Sequence, residues 1–172
     1  MTQEVREPVS SSAEIEAVDQ FKAAFRRYPT GVAVISAATP SGPVGLTASS
    51  VASVSVKPRA LSFSVMGSPS ARSIVDAPSF VVNLLGPEHV GLARDFARVG
   101  GPRFTPDQGW SELPAGEPFL TSALAFMRCT PLHLVPVGDT TLVVASVLEV
   151  GLGPAGGRLI YHDREFIASP PE

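Results

Sequence analysis

Cysteine is almost absent from the chain, and histidine is scarce. Cys129 is the only cysteine in 172 residues, which excludes an intrachain disulfide and a thiolate metal cluster within one chain. The histidines at positions 89, 133 and 162 show neither HxxxH nor HxH spacing, so the sequence predicts no metal site. No apolar run approaches the roughly 20 residues that span a bilayer. A soluble protein without a metal centre is therefore expected, with Cys129 buried and inert.

An excess of positive charge is also absent. Lysine and arginine number 13 against 16 aspartates and glutamates, for a net charge of -3, so the chain has no electrostatic footprint for nucleic acid. The first residues are partly acidic and lack an apolar signal core, which makes a cytoplasmic location the expectation. The length fits one domain, predicted at residues 13–168 behind a flexible tail at residues 1–12.

The sequence offers no support for three familiar motifs. It lacks the GxxxxGK[ST] loop of P-loop proteins, and its one GxGxxG spacing, GLGPAG at residues 151–156, joins two predicted strands, whereas the Rossmann motif leads from a strand into a helix. It also lacks the GxSxG turn of serine hydrolases. Any phosphate bound here would have to be held by hydroxyl groups, by amides at strand ends or by an arginine.

The apolar pattern predicts a mainly β protein with flanking helices. Apolar residues repeat every three or four positions from Ile15 to Tyr28, after a capping-box pair at Ser11 and Glu14, so an amphipathic helix ending at Pro29 is expected. Strands and hairpin turns dominate the rest, an order that favours an antiparallel barrel. The predicted strands are 31–38, 44–56, 60–66, 79–85, 123–137, 140–152 and 158–166, with helices at about 69–76 and 87–99 and a long loop at 102–118.

Residues 45–56, GLTASSVASVSV, combine β-branched residues with an unusual number of small hydroxyls. Thr47, Ser49, Ser50 and Ser53 leave room beside the backbone and offer short, uncharged hydrogen bonds, which suits a ligand lying along the strand. The alternative is an ordinary exposed strand face. Spacing alone favours that alternative.

For several other polar residues the sequence is compatible both with a ligand contact and with a structural role. Arg72 and Ser73 begin a short helix and form a second candidate anion site, because helix N-termini favour negative groups. Asn83 lies within the apolar strand SFVVNLL, where its amide must be either a hydrogen-bond hub or a ligand contact. His162 is a candidate acid or base, although a lone strand histidine is more often structural.

Taken together, several segments resemble the flavin reductase family of FMN-binding split barrels. They are FRRYPTGVAVIS, GLTASSVASVSVKPRALSFSV, SFVVNLL, ARDFARVGGPRF and the ending GDTTLVVASVLEV...LIYHDREF, in unbroken order over roughly residues 20–167. The resemblance implies a Greek-key split β-barrel that forms a homodimer with the flavin near the subunit interface. It also implies hydride transfer from NADH or NADPH to FMN or FAD, and supply of reduced flavin to a partner monooxygenase.

The resemblance assigns roles to individual residues. Its G(M/L)TA(N/S)S segment, which runs along the flavin, corresponds to residues 47–50, and its (D/K)RF element in the mobile loop to residues 103–104. Its terminal segment, residues 161–166, closes over the pocket and supplies both flavin and substrate contacts. The implied flavin-binding residues are Thr30, Thr47, Ala48, Ser49, Ser50, Ser64, Val65, Arg72, Ser73, Asn83, Leu84, Arg103, Phe104 and Phe166; the implied substrate-binding residues are Thr140, Tyr161 and His162.

One position departs from the family pattern. Many members have GDH at the hairpin where this chain reads Gly138-Asp139-Thr140, and the family histidine is associated with nicotinamide binding. A threonine replaces neither the charge nor the stacking of an imidazole. Two alternatives to a reductase therefore stay open: a biosynthetic oxidoreductase that keeps FMN bound and acts on an organic metabolite, and a non-catalytic flavin-binding protein.

Overall fold

The computed structural model describes residues 12–171. Ser11 and nearly all of the predicted tail at residues 1–12 lie outside the described residues. The helices are α1 (Ser12–Arg26), α2 (Pro69–Asp76) and α3 (Val90–Ala97), with 3₁₀ turns at Pro87–His89 and Pro106–Gln108. The strands are β1 (Thr30–Gly31), β2 (Ala33–Thr39), β3 (Gly42–Ala48), β4 (Ala52–Val56), β5 (Arg59–Met66), β6 (Phe80–Leu84), β7 (Trp110–Glu112), β8 (Pro118–Leu120), β9 (Ala125–Val137), β10 (Thr140–Leu152), β11 (Arg158–His162) and β12 (Glu165–Ser169).

Seven strands form one antiparallel sheet in the order β3-β2-β6-β9-β10-β5-β4. Its apolar face packs against α2 in a core centred on Ile35, Phe63, Phe80 and Val143, all fully buried. The predicted hairpin at Gly138-Asp139 joins β9 to β10, with Gly138 at φ 59°. The fold is the mainly β split barrel expected from the sequence.

A second core joins a small three-stranded sheet, β1-β11-β12, to the large one. Phe96 of α3 lies at its centre and contacts Phe104 and Trp110, with ring centroids 5.1 and 5.4 Å away. Trp110 belongs to the two-stranded ribbon β7-β8, so the predicted loop at 102–118 is more regular than expected. No helix in the described part of the chain is long and apolar enough to cross a membrane.

Two predicted strands are each divided in the structure. The predicted strand 44–56 breaks at residues 49–51, so β3 and β4 lie at opposite edges of the seven-stranded sheet. Ser50 bridges this break, since its hydroxyl accepts a hydrogen bond from the Ser64 N–H (2.9 Å) and donates one to the Ser64 carbonyl (3.2 Å). The predicted strand 158–166 is a hairpin, because Asp163 and Arg164 adopt positive φ and reverse the chain.

Helix α1 has the predicted amphipathic pattern, yet none of its residues is buried. Its apolar side chains are between 46 and 66% exposed. They are Ile15, Val18, Phe21, Phe25 and, just after the helix, Tyr28. The apolar face of α1 is therefore open in the single chain.

Candidate functional site

An open groove runs along the serine-bearing link between β3 and β4. One half, of about 820 Å³, lies against α1 and β1. The other half, of about 960 Å³, lies against β3, β5, the start of α2 and the end of α3. The halves are continuous because they share five lining residues, which are Ser49, Ser50, Ser64, Tyr161 and Arg164.

The hydroxyls of the serine-bearing segment have different partners. Thr47 donates to the Ala93 carbonyl at 2.7 Å and so ties β3 to α3, while Ser50 is bonded to Ser64 across the break. Ser49 lines both halves of the groove, and no described residue hydrogen-bonds its hydroxyl. Ser49 therefore offers a free donor to a ligand in the groove.

Thr30 presents a second free donor. Its hydroxyl oxygen is buried without a hydrogen-bond partner among the described residues, and the residue lines the α1 half of the groove. Buried polar atoms in native proteins almost always have a partner. A ligand carrying a polar group at this depth would supply one, as the carbonyl and nitrogen edge of a flavin ring does.

Arg103 anchors the walls of the groove. Its Nη1 donates to the Gly45 carbonyl and to the Ser70 hydroxyl, both at 3.1 Å. Its Nη2 donates to the carbonyls of Arg98 at 2.9 Å and Phe96 at 3.4 Å. The guanidinium thus joins β3, α2 and the end of α3, while its buried Nε has no described partner.

The structure brings most of the predicted site residues together. Tyr161 and Phe166 pack with ring centroids 5.1 Å apart and face the groove from the small sheet, and His162 lines the α1 half. The predicted residues that line the groove are Thr30, Thr47, Ala48, Ser49, Ser50, Ser64, Val65, Arg103, Tyr161, His162 and Phe166.

Asn83 and Leu84, by contrast, make contacts within the protein core and do not line the groove. The Asn83 side chain is fully buried, donates to the Val34 carbonyl and the Ser36 hydroxyl, and accepts from the Leu120 N–H at 2.8 Å. Of the two roles open for Asn83 in the sequence, the structure shows the hydrogen-bond hub. Leu84 packs against the core of the large sheet.

Four further predicted residues lie outside the groove. Arg72 is exposed and Ser73 donates to the Pro69 carbonyl at 3.1 Å, because they lie past the first turn of α2, whose first residues line the groove instead. Phe104 packs against Trp110 in the second core. Thr140 begins β10, with its hydroxyl 3.3 Å from Asp139 Oδ1.

Apart from Arg103, sequence reasoning missed the basic side chains that converge on the groove. They come from α1, from the end of α3 and from the β11-β12 turn, and no sequence spacing indicates that these elements meet. Against a single carboxylate, that of Asp163, the basic wall of the groove consists of the predicted Arg103 and five further side chains: Lys22, Arg26, Arg94, Arg98 and Arg164. A chain with a net charge of -3 therefore has a locally basic groove, which attracts anionic ligands.

The start of α2 adds hydroxyl groups to this basic wall. Ser68 caps the helix by accepting from the Ala71 N–H at 3.1 Å, and Ser68, Pro69 and Ser70 line the groove. Hydroxyls, a helix start and arginines together suit a phosphate. This half of the groove therefore offers the donors that a phosphate group requires.

The other titratable groups singled out in the sequence have structural surroundings. Cys129 is fully buried, as the sequence predicts, and burial raises the pKa of its thiol to about 12. Burial lowers the pKa of His89, whose Nδ1 accepts the Gly86 N–H at 3.0 Å. In residues 12–171 no three His, Cys, Asp or Glu side chains are grouped to bind a metal.

Comparison with known proteins agrees with this geometry. The chain is 38% identical to an NADH:FMN oxidoreductase of Rhodococcus qingshengii, over 88% of this chain and 81% of that one. It is 31% identical to the actinorhodin polyketide dimerase of Streptomyces coelicolor, over 84% and 82%. The solved structure of the styrene monooxygenase flavin reductase of Pseudomonas putida S12 superposes with a TM-score of 0.78, at 28% identity over 88% and 99%. Residues 25–169 match the family described as flavin reductase like domain, and the chain belongs to that family.

Proposed function

We propose that this protein is an NADH-dependent flavin reductase that transfers a hydride to FMN and supplies the reduced flavin to a partner monooxygenase. The observation that carries the proposal is the groove itself, in which the unpartnered Thr30 hydroxyl and the Ser49 hydroxyl lie next to a basic wall. The names of the relatives support the same reaction. NADPH and FAD are the alternative co-substrate and acceptor.

Binding and orientation are the contributions proposed for this chain. A bound flavin supplies the electron-accepting chemistry. Thr30 and Ser49 donate hydrogen bonds to polar atoms of the ring, and Tyr161 and Phe166 cover one side of it. The start of α2, together with Arg94, Arg98 and Arg103, holds the phosphate. No protein acid or base is required, which leaves His162, in the α1 half of the groove, as a proposed co-substrate contact rather than a proton carrier. Thr140 lies outside the groove and is assigned no contact in it.

The assay that tests this proposal is NADH oxidation by the purified protein with FMN or FAD in air. We expect turnover that depends on added flavin, followed as the loss of nicotinamide absorbance, with NADPH as a parallel co-substrate. Flavin binding is measured in the same sample by fluorescence. Absence of turnover despite flavin binding would contradict the reductase function.

A second candidate function follows from one relative and one residue. The similarity to a polyketide dimerase and Thr140 at the hairpin favour an oxidoreductase that keeps FMN bound and acts on an organic metabolite. A yellow chromophore that co-purifies and resists dialysis would favour this candidate. Flavin that binds without any reaction would instead indicate a non-catalytic flavin-binding protein.

We further propose that the chain forms a homodimer. Each strand of the β9-β10 hairpin is longer than its outer neighbour. The β9 strand pairs with β6 only up to Cys129, and β10 pairs with β5 only up to Ser146. Most of the hairpin's exposed side chains are apolar, although His133, Asp139 and Glu149 are exposed as well. Those at least 37% exposed are Leu132, Leu134, Val135, Val137, Leu142, Leu148 and Val150. The hairpin and the open face of α1 thus expose more apolar side chains than scattered exposed residues explain, and a second copy would cover such a surface by two-fold symmetry.

Leu134→Glu tests the dimer. A charge on this apolar strand face is expected to shift the protein from the dimer to the monomer, because an interface core disfavours an unpaired carboxylate. Light scattering during size-exclusion chromatography measures the mass. Ser41→Glu, in the exposed β2-β3 turn, is the matched control and should leave the dimer intact. A monomeric wild-type chain would contradict the proposal.

A further inference from the structure

The turn between β11 and β12 has an arginine where its backbone favours glycine. His162 pairs with Glu165 across the hairpin, so Asp163 and Arg164 are the two turn residues. Both have positive φ, 46° and 67°. Two-residue turns of this kind favour aspartate or asparagine followed by glycine, so Asp163 suits its position and Arg164 does not. Local strain of this kind tends to persist where a side chain is needed for function.

The turn places Arg164 at the junction of the groove. Arg164 is exposed and is the one basic side chain that lines both halves. The hairpin tip is anchored to α1, since the Asp163 N–H donates to the Arg26 carbonyl at 3.1 Å. The turn thus holds the arginine at the rim, three residues after Tyr161.

Arg164 has no described side-chain partner. Arg98, by contrast, pairs with Asp95 at 3.0 Å, and both terminal nitrogens of Arg103 are bonded to carbonyls and to Ser70. Three other basic side chains of the lining also lack a described side-chain partner, but each lines only one half of the groove: Lys22, Arg26 and Arg94. No residue in the described range 12–171 accepts a hydrogen bond from the Arg164 guanidinium. Its donors face the groove, and a guanidinium matches phosphate oxygens in a two-pronged geometry.

We propose that Arg164 binds the diphosphate of a dinucleotide that lies across the groove. The proposal rests on the reductase function and adds a residue to it. Two dinucleotides carry this group, the co-substrate NADH and the flavin FAD. FMN has no diphosphate, and its phosphate is assigned to the start of α2 and the arginines of the other half. Loss of the Arg164 charge should therefore affect dinucleotides and spare FMN.

Arg164→Gly is the decisive variant, because glycine adopts a φ of 67° without strain. The variant should fold at least as stably as the wild type. With FMN as acceptor, the KM for NADH is expected to rise about tenfold or more, the loss typical of a charge-assisted hydrogen bond. The Kd for FMN should stay within about twofold, and Arg164→Lys should recover part of the loss because it keeps the charge.

Asp163→Gly is the matched control. It places glycine at the other positive-φ position of the turn and keeps the arginine, so its KM for NADH should not rise. A tenfold rise in the Kd for FAD with an unchanged KM for NADH would also support the proposal and would identify the flavin as the source of the diphosphate. Unchanged constants for both dinucleotides, or an equal loss of FMN binding, would overturn it.

The failure of the reductase function can be told apart from the failure of this inference. If the wild type oxidises no NADH, the Arg164 role is read from equilibrium titrations of FAD and NAD⁺ against the wild type and Arg164→Gly, which need no turnover. Weaker dinucleotide binding by the variant supports the role of Arg164. Equal binding by both proteins, or no binding of either dinucleotide by the wild type, overturns it.

Discussion

Replacing Arg128 by methionine is expected to destabilise the fold by about 3–5 kcal/mol, the usual cost of leaving a buried charge unpaired. Arg128 Nε donates to Glu117 Oε1 at 2.7 Å, and the side chains are 25 and 3% exposed. The Ser79 hydroxyl donates to the same oxygen. Without the guanidinium, a carboxylate between β8 and β9 would lose its countercharge. Urea unfolding followed by the fluorescence of Trp110, the only tryptophan, measures the loss.

An exposed ion pair on α3 provides the control for Arg128. Arg98 pairs with Asp95 at 3.0 Å, but its side chain is 65% exposed. Solvent screens such a pair, so Arg98→Met should cost less than about 1 kcal/mol in the same experiment. If Arg128→Met and Arg98→Met lost the same free energy of unfolding, burial would not explain how much the Glu117–Arg128 pair contributes to stability.

The pH dependence of the Arg128→Met effect follows from Glu117. Burial opposes ionisation of this carboxyl, but hydrogen bonds from Ser79 and from its own backbone, together with Arg128, outweigh burial and hold the pKa of Glu117 below its ordinary value. A lowered pKa contributes stability that is present above the unfolded-state value and is lost as the pH falls through the folded-state value. The stability gap between wild type and Arg128→Met should therefore narrow on acidification; a constant gap would exclude the unpaired carboxylate as its cause.

The sequence predicts the elements of this fold better than their interruptions. Hydrophobic periodicity places the strands and the Gly138-Asp139 turn within a few residues, because each depends on local pattern. The break at residues 49–51 depends instead on a contact between distant residues. The Ser50 hydroxyl is hydrogen-bonded to the backbone of Ser64 in β5, and local sequence does not indicate that these two residues meet. The β11-β12 hairpin gives no sequence signal, because Arg164 occupies the turn position where glycine normally follows aspartate.

The candidate site divides in the same way. The segment around Ser49 and the closing residues Tyr161 and Phe166 could be predicted, because short motifs carry them. The basic wall could not, since α1, α3 and the β11-β12 turn meet only in the folded chain. At α2 the predicted residues are a few positions away from those that line the groove. Ser68 and Ser70 line the groove, whereas the predicted Arg72 lies further along the helix and is exposed.

The largest expected effect on ligand binding is that of Ser49→Asp. Ser49 lines both halves of the groove, so a carboxylate there would face either the ring carbonyls or the phosphate of FMN. Like charges brought together in a binding site cost several kcal/mol, which corresponds to a loss of FMN affinity of about a hundredfold or more. Fluorescence titration with FMN measures this loss, and Ser49→Ala should lose far less, because it removes a donor without adding a charge.

Ser41→Asp is the matched control for Ser49→Asp, since it adds the same charge in the exposed β2-β3 turn away from the groove. It should bind FMN as the wild type does, with an unchanged urea midpoint. The urea midpoint of Ser49→Asp separates weaker binding from unfolding, because a folded variant that has lost FMN must have lost it at the groove. Wild-type FMN affinity in a folded Ser49→Asp protein would remove the serine-bearing segment from the site and would leave Thr30 and the basic wall to bind the flavin elsewhere in the groove.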